Sequence, residues 1–252
     1  MAELVDLRDK ISKYYKFTPA ELRGVIISIL VLAFIISFKN WGTSSFNPGE
    51  GIFNLFNAVL IVALSFLVHD AGQRVWGLAI GYRVEYKFSA LWLMIAVILA
   101  FISNGSLWLI IPGGFMVHHL AGHRLGFFRY GINYFGQAMV ALAGPLSSLI
   151  LLIFLKMIYA VAPNALVEKA IMFNVIYIIT SMLPIPPLDG SKIIFGSRMT
   201  YAFLLPAIIV ATILMIINIP IFLALVLSMI MGTLLWLWYY ISFERKIWSG
   251  PK

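Results

Sequence analysis

The chain contains no cysteine, which excludes a disulfide framework, a thiolate nucleophile and a cysteine zinc site. It is also poor in charge: 11% of its 252 residues are Asp, Glu, Lys or Arg, against about a quarter in soluble domains. No Ser-His-Asp series, P-loop or dinucleotide fingerprint occurs, and there are no heptads, low-complexity tracts or evident repeats. What is present instead is apolar. Hydrophobic residues make up 62% of the chain and the mean hydropathy is +0.98, the composition of a polytopic membrane protein. The net charge of +8 then reads as positive-inside topology rather than as nucleic-acid binding, and no nucleic-acid partner is expected.

Apolar stretches run over about 22–38, 52–80, 88–117, 135–162, 165–196, 200–218 and 219–242, most of them longer than the roughly 20 residues that a spanning helix needs. The third is broken by Asn104-Gly105 and Pro112-Gly113-Gly114, which suits a short helix followed by an extended segment folded back as a re-entrant hairpin. With the N-terminus cytoplasmic and that hairpin returning to its own side, fifteen of the eighteen Lys and Arg lie inside, leaving Lys39, Lys156 and Lys169 outside. The expectation is an all-α protein of about six spans in the cell membrane with both termini cytoplasmic. Residues 1–20 form a basic N-terminal segment, lacking a cleavable signal pattern, and 21–252 the transmembrane domain. Lys156 reads as snorkelling outward, and Trp236, Trp238, Tyr239, Tyr240 and Trp248 as an aromatic belt beside Arg245 and Lys246.

Ionisable groups at membrane depth are costly and mark cavities or partners. His69 and Asp70 lie deep in the second stretch, and Asp189 deep in the fifth, at similar depth in this topology. Asp189 follows Pro184, Pro186 and Pro187, which cannot continue a helix, so it is presented from a break, either as a site carboxylate or as the cap of a restarting helix. His69-Asp70-Ala71-Gly72-Gln73 stands one ligand short of His-Glu-x-x-His, in which two histidines on one helical face hold zinc and the Glu activates its water. Gln73 offers a weaker ligand than imidazole. Asp70 keeps a carboxylate on a stem one methylene shorter. A second group, His118, His119 and His123, has the i, i+4 spacing at 119 and 123 but reads as interfacial loop histidines facing lipid headgroups with Arg124 and Arg129, with adventitious metal binding as the alternative.

From about 52 to 198 the chain resembles the site-2 protease family of intramembrane zinc metalloproteases. The resemblance rests on the helix motif at 69–73, Pro112-Gly113-Gly114-Phe115, Ala143-Gly144-Pro145-Leu146-Ser147-Ser148 and Pro184-Ile185-Pro186-Pro187-Leu188-Asp189-Gly190, in family order. It implies a six-helix bundle with a short membrane-embedded strand region. It also implies that Asp189 is the third metal ligand beside His69 and position 73, that Asp70 is the base, and that Gly113, Gly114 and Phe115 supply an edge strand for an unwound substrate. Gly144, Pro145, Ser148, Pro186, Pro187 and Gly190 are the structural motif residues, and Ser181 stands where the family often has Asn. Because the departures fall on the chemistry, the expected protein has impaired or lost zinc peptidase activity and recognises membrane-embedded segments of a client. In that case His69, Asp70, Gln73 and Asp189 satisfy one another. The alternatives are a working intramembrane metalloprotease with a variant zinc site, and a transporter built on the broken helix, though no matching break occurs in a second half.

Overall fold

The computed structural model describes residues 2–42, 46–120, 133–217 and 219–248. Helix α1 (Ala2–Tyr14) precedes α2 (Pro19–Ser37), whose start is fixed by a capping box. Thr18 Oγ1 accepts from Glu21 N at 3.2 Å, and the Glu21 carboxylate accepts from Thr18 N at 3.1 Å, so two orphan donors are satisfied reciprocally. Side-chain caps also start α3 (Pro48–Ala79) at Asn47, α5 (Tyr134–Val161) at Asn133, α6 (Ala165–Ser181) at Asn164 and α8 (Arg198–Ile216) at Ser197. The described residues close with α9 (Ile221–Tyr239), a π-helical turn at Tyr240–Glu244 and α10 (Arg245–Trp248).

Among the described residues five helices are long and apolar enough to cross a bilayer: α2, α3, α5, α8, and α9 with its π turn. The protein is thus an all-α polytopic membrane protein, with a small two-stranded sheet. The expected count was about six. The difference is α6, whose 17 residues stand at the lower limit of about 17 for a span.

Strand β1 (Tyr82–Phe88) was not anticipated, although Tyr82, Val84 and Tyr86 alternate with Arg83, Glu85 and Lys87 at the period of a half-buried strand. It pairs antiparallel with β2 (Gly113–His119), Tyr82 opposite His119 and Phe88 opposite Gly113. Between them α4 (Ala90–Ile102) leads away, the chain turns at Asn104 and Gly105 with φ of 50° and 67°, and it returns to the same sheet. Asn and Gly tolerate that left-handed backbone where other residues are strained.

Small residues let the helices meet around this sheet. A side chain at Gly72 would collide with Ala143 O and Ser147, so α3 and α5 touch nearly backbone to backbone there. The Ile185-to-Leu188 stretch links α6 to α7 (Asp189–Gly196) without helix, as three prolines within 184–187 require.

Candidate functional site

His69, Asp70 and Gln73 lie buried on α3, with His69 and Gln73 directed at the α6–α7 break. The break presents Asp189 to them. Asp189 is the first residue of α7, whose N-cap is Leu188 with no side-chain cap, so its carboxylate does not cap its own helix. Instead Asp189 Oδ2 lies 2.8 Å from His69 Nε2, and Oδ1 accepts from Gln73 Nε2 at 2.9 Å. Residues 116 and 120 positions apart in sequence thereby close on one another. On the far side of the ring His69 Nδ1 meets Ser148 Oγ at 2.9 Å, which fixes the imidazole between α5 and α7. With Nε2–H donating to the carboxylate, Nδ1 accepts from the Ser148 hydroxyl, and every polar atom of the ring is used. Tyr177 packs its ring 4.8 Å from the imidazole.

Asp70 takes a different partner. Its carboxylate accepts from Arg74 Nε one turn on, and the same guanidinium bridges to Glu21 from α2. The four-residue cluster expected from the sequence is therefore a three-residue cluster of His69, Gln73 and Asp189, beside a separate ion triad of Glu21, Arg74 and Asp70. Arg74 is 2% exposed, so it is an interior partner of these carboxylates. Sequence reading missed Glu21 and Arg74 as members of the site. The available signal was the i, i+4 spacing of Asp70 and Arg74 on a helix.

The triad also organises the sheet. Glu21 Oε1 accepts from Tyr86 N at 2.7 Å and Arg74 Nη1 donates to Val84 O at 3.3 Å. Both groups lie on the side of β1 that faces away from β2, so the outer edge of β1 is occupied by side chains. By the antiparallel register, Phe115 and Val117 stand opposite Tyr86 and Val84 at non-hydrogen-bonded positions, and their main-chain groups point outward from β2. Gly113 and Gly114 line a cavity of about 30 Å³ together with His69, Asp70, Gln73, Ser181 and Asp189, room for about one water. Phe115 does not face that cavity. Its ring is buried under the Lys192 ammonium, 4.1 Å from the ring centre.

The motif residues shape this pocket. A methyl group at Gly144 would collide with His69 Nε2 and Gln73 Nε2, and one at Gly114 with Pro187 O. One at Gly190 would strike Met182 O. Pro145 lies inside α5, and the Pro186–Pro187 peptide is cis. Gly144→Ala is expected to destabilise the fold by about 1–3 kcal/mol, the cost of overpacking a filled core. A lower denaturation midpoint in detergent checks it.

His118 and His119 are neighbours on an extended strand; His123, and with it the 119/123 spacing, lies outside the described residues together with Arg124, Arg129 and the side chain of Trp248. His118 Nε2 sits 3.3 Å from Glu85, whose pKa is held below its ordinary value first by the Lys87 hydrogen bond. His119 packs on the Tyr82 ring at 4.9 Å.

The donor set does not fit a catalytic zinc. Such sites use three strong protein ligands and an open position, whereas the described residues bring no three of His, Cys, Asp and Glu together. The third donor is the amide of Gln73, and both Asp189 oxygens already accept hydrogen bonds from protein groups.

A polytopic helical membrane protein with a buried His-Asp-Gln centre is the class that this geometry defines. No protein-family model and no solved structure matches the chain. A curated protein of Methanocaldococcus jannaschii named "Putative zinc metalloprotease" is 25% identical over 187 residues, covering 71% of this chain and 86% of that relative. The similarity is consistent with a metalloprotease family.

Proposed function

We propose that this chain is a site-2-protease-like protein whose peptidase centre has become a metal-free hydrogen-bonded cluster, and that it binds membrane-embedded segments of a client protein without cutting them. The observation that carries this reading is the division of the motif between two closed networks. His69 and Asp189 are bonded to each other and to Gln73, while Asp70 is neutralised by Arg74. A general base must be free to take a proton from the attacking water, and a carboxylate paired with a buried guanidinium is a poor one. The binding part of the reading rests on β2. Since Glu21 and Arg74 close the outer edge of β1, an extended peptide would add beside Gly113, Phe115 and Val117, next to the His69 cavity. The bilayer is the other partner in this reading, and the positive-inside rule supports an orientation with both ends in the cytoplasm.

A second reading, a working intramembrane metalloprotease, is favoured by the direct apposition of His69 and Asp189 and by the name of the M. jannaschii relative. Zinc content and cleavage separate the two. Detergent-purified protein is expected to hold no stoichiometric zinc and to leave a helical membrane substrate intact. Chelator-sensitive cleavage that vanishes in Asp189→Asn would overturn the proposal in favour of the protease.

A further inference from the structure

Away from the His69 cavity, α8 and α9 leave a groove of about 550 Å³ between them. Its long wall runs from Arg198 to Val210 on α8, about 18 Å at 1.5 Å per residue, which matches one leaflet of a hydrocarbon core about 30 Å thick. α8 carries an internal proline beside the groove. Pro206 removes one backbone donor and frees the carbonyl of Ala202, and both residues line the gap, opposite Leu235 and Trp238 on α9. Apart from Arg198 the lining is apolar or aromatic, so the long chamber suits a hydrocarbon chain and not a polar ligand.

At the Arg198 end the groove opens into a second, polar chamber of about 390 Å³ that shares Ile194 and Arg198 and adds Ser197 and Glu244. Glu244 closes the π-helical turn at Tyr240–Glu244, a rare geometry concentrated at functional positions. Its Oε2 is shielded from solvent and has no hydrogen-bond partner among the described residues. A shielded carboxylate oxygen without a donor calls for one. The polar chamber thus offers one cationic side chain and one unsatisfied anionic oxygen at the mouth of a leaflet-deep apolar slot.

We propose that the α8–α9 groove holds one acyl chain of an amine-bearing phospholipid, with its phosphate against Arg198 and its ammonium against Glu244. The aromatic residues Trp238 and Tyr239 line the upper groove, at the level where such rings meet headgroups. A lipid with a bare phosphate would satisfy Arg198 and leave Glu244 unpaired. A trimethylated amine has no N–H to give to Oε2. A primary ammonium supplies both charge and donor, and the contact is a charge-assisted hydrogen bond.

The test is lipid retention by the whole protein, delipidated in detergent and read by native mass spectrometry with phosphatidylethanolamine, phosphatidylcholine and phosphatidylglycerol in turn. Phosphatidylethanolamine is expected to be retained about tenfold more tightly than phosphatidylcholine, the value of one charge-assisted hydrogen bond. Glu244→Gln is expected to erase that preference while phosphatidylglycerol retention holds or rises. Ala202→Trp, which fills the slot, is expected to abolish retention of all three in a variant that still elutes as a single species on gel filtration. Equal retention of the three lipids by the parent, or unchanged retention by a well-folded Ala202→Trp, would overturn the proposal. The latter result would place the retained lipid outside the groove.

Discussion

Gln73→Ala would merely empty one corner of the site, but Gln73→His is expected to give a protein that binds about one zinc per chain, by completing a three-ligand set of the kind catalytic zinc uses. Positions 69 and 73 lie on one face of α3, both buried, and both side chains already converge on the Asp189 carboxylate. An imidazole at 73 would therefore face His69 Nε2 and Asp189 without moving a helix. The room beneath is guaranteed by Gly144, where any side chain would meet both residues. Ser148, bonded to His69 Nδ1, would serve as the outer partner that orients a metal-binding imidazole. Metal analysis of purified Gln73→His, set beside Gln73→His with Asp189→Ala, checks the claim. The first is expected to hold zinc and the second to lose it. A zinc-free Gln73→His would mean that the pocket geometry, and not only ligand identity, has drifted from a metal site. Zinc binding is not expected to restore cleavage, because Asp70 remains neutralised by Arg74.

That asymmetry between what is present and what is bonded also marks the boundary of sequence reading. The helix carrying His69 and the break carrying Asp189 were legible, because a long apolar run and three clustered prolines constrain the backbone locally. That the two would meet could be argued only from matched depth, and the 2.8 Å contact between them depends on Gly72 and Gly144 letting α3 and α5 approach. The strand β1 was hidden by its place beside a long apolar stretch, where a seven-residue alternation is easily read as a basic loop. Glu21 was hidden for another reason. The Thr-x-x-Glu spacing from Thr18 signals a helix start, and Glu21 does complete that capping box through Oε2, but its other oxygen reaches across to Arg74 and Tyr86. Local sequence accounts for the first role of a residue and is silent on the second. The π turn that ends at Glu244 has no sequence signature at all.

Removing Arg74 is expected to be the most damaging single change in the chain. Its guanidinium bridges two carboxylates from different helices, donates to a strand carbonyl, and lies under the Phe17 ring with 4.0 Å to the ring centre. It is also among the largest fully buried side chains. Arg74→Met keeps the volume and deletes the charge, so Asp70 and Glu21 are left as two buried carboxylates with no cation between them. Breaking a buried pair in this way costs about 3–5 kcal/mol, because the remaining charge is stranded in low dielectric. The loss would spread beyond α3, since Glu21 tethers the start of α2 to Tyr86 of β1, and the residues before α2 pack on Arg74 through Tyr15 and Phe17. Denaturation in detergent should show the midpoint fall, and limited proteolysis should show earlier cutting near residues 15–18. The decisive comparison is the triple variant Glu21→Gln, Asp70→Asn, Arg74→Met. Neutralising all three removes the stranded charges while keeping shape, and buried ion clusters replaced together are often no less stable than the original. Recovery of most of the lost stability would show that the triad acts as one electrostatic unit. A triple variant as unstable as Arg74→Met would instead place the loss in the neutral contacts of Arg74, its packing on Phe17 and its bond to Val84 O.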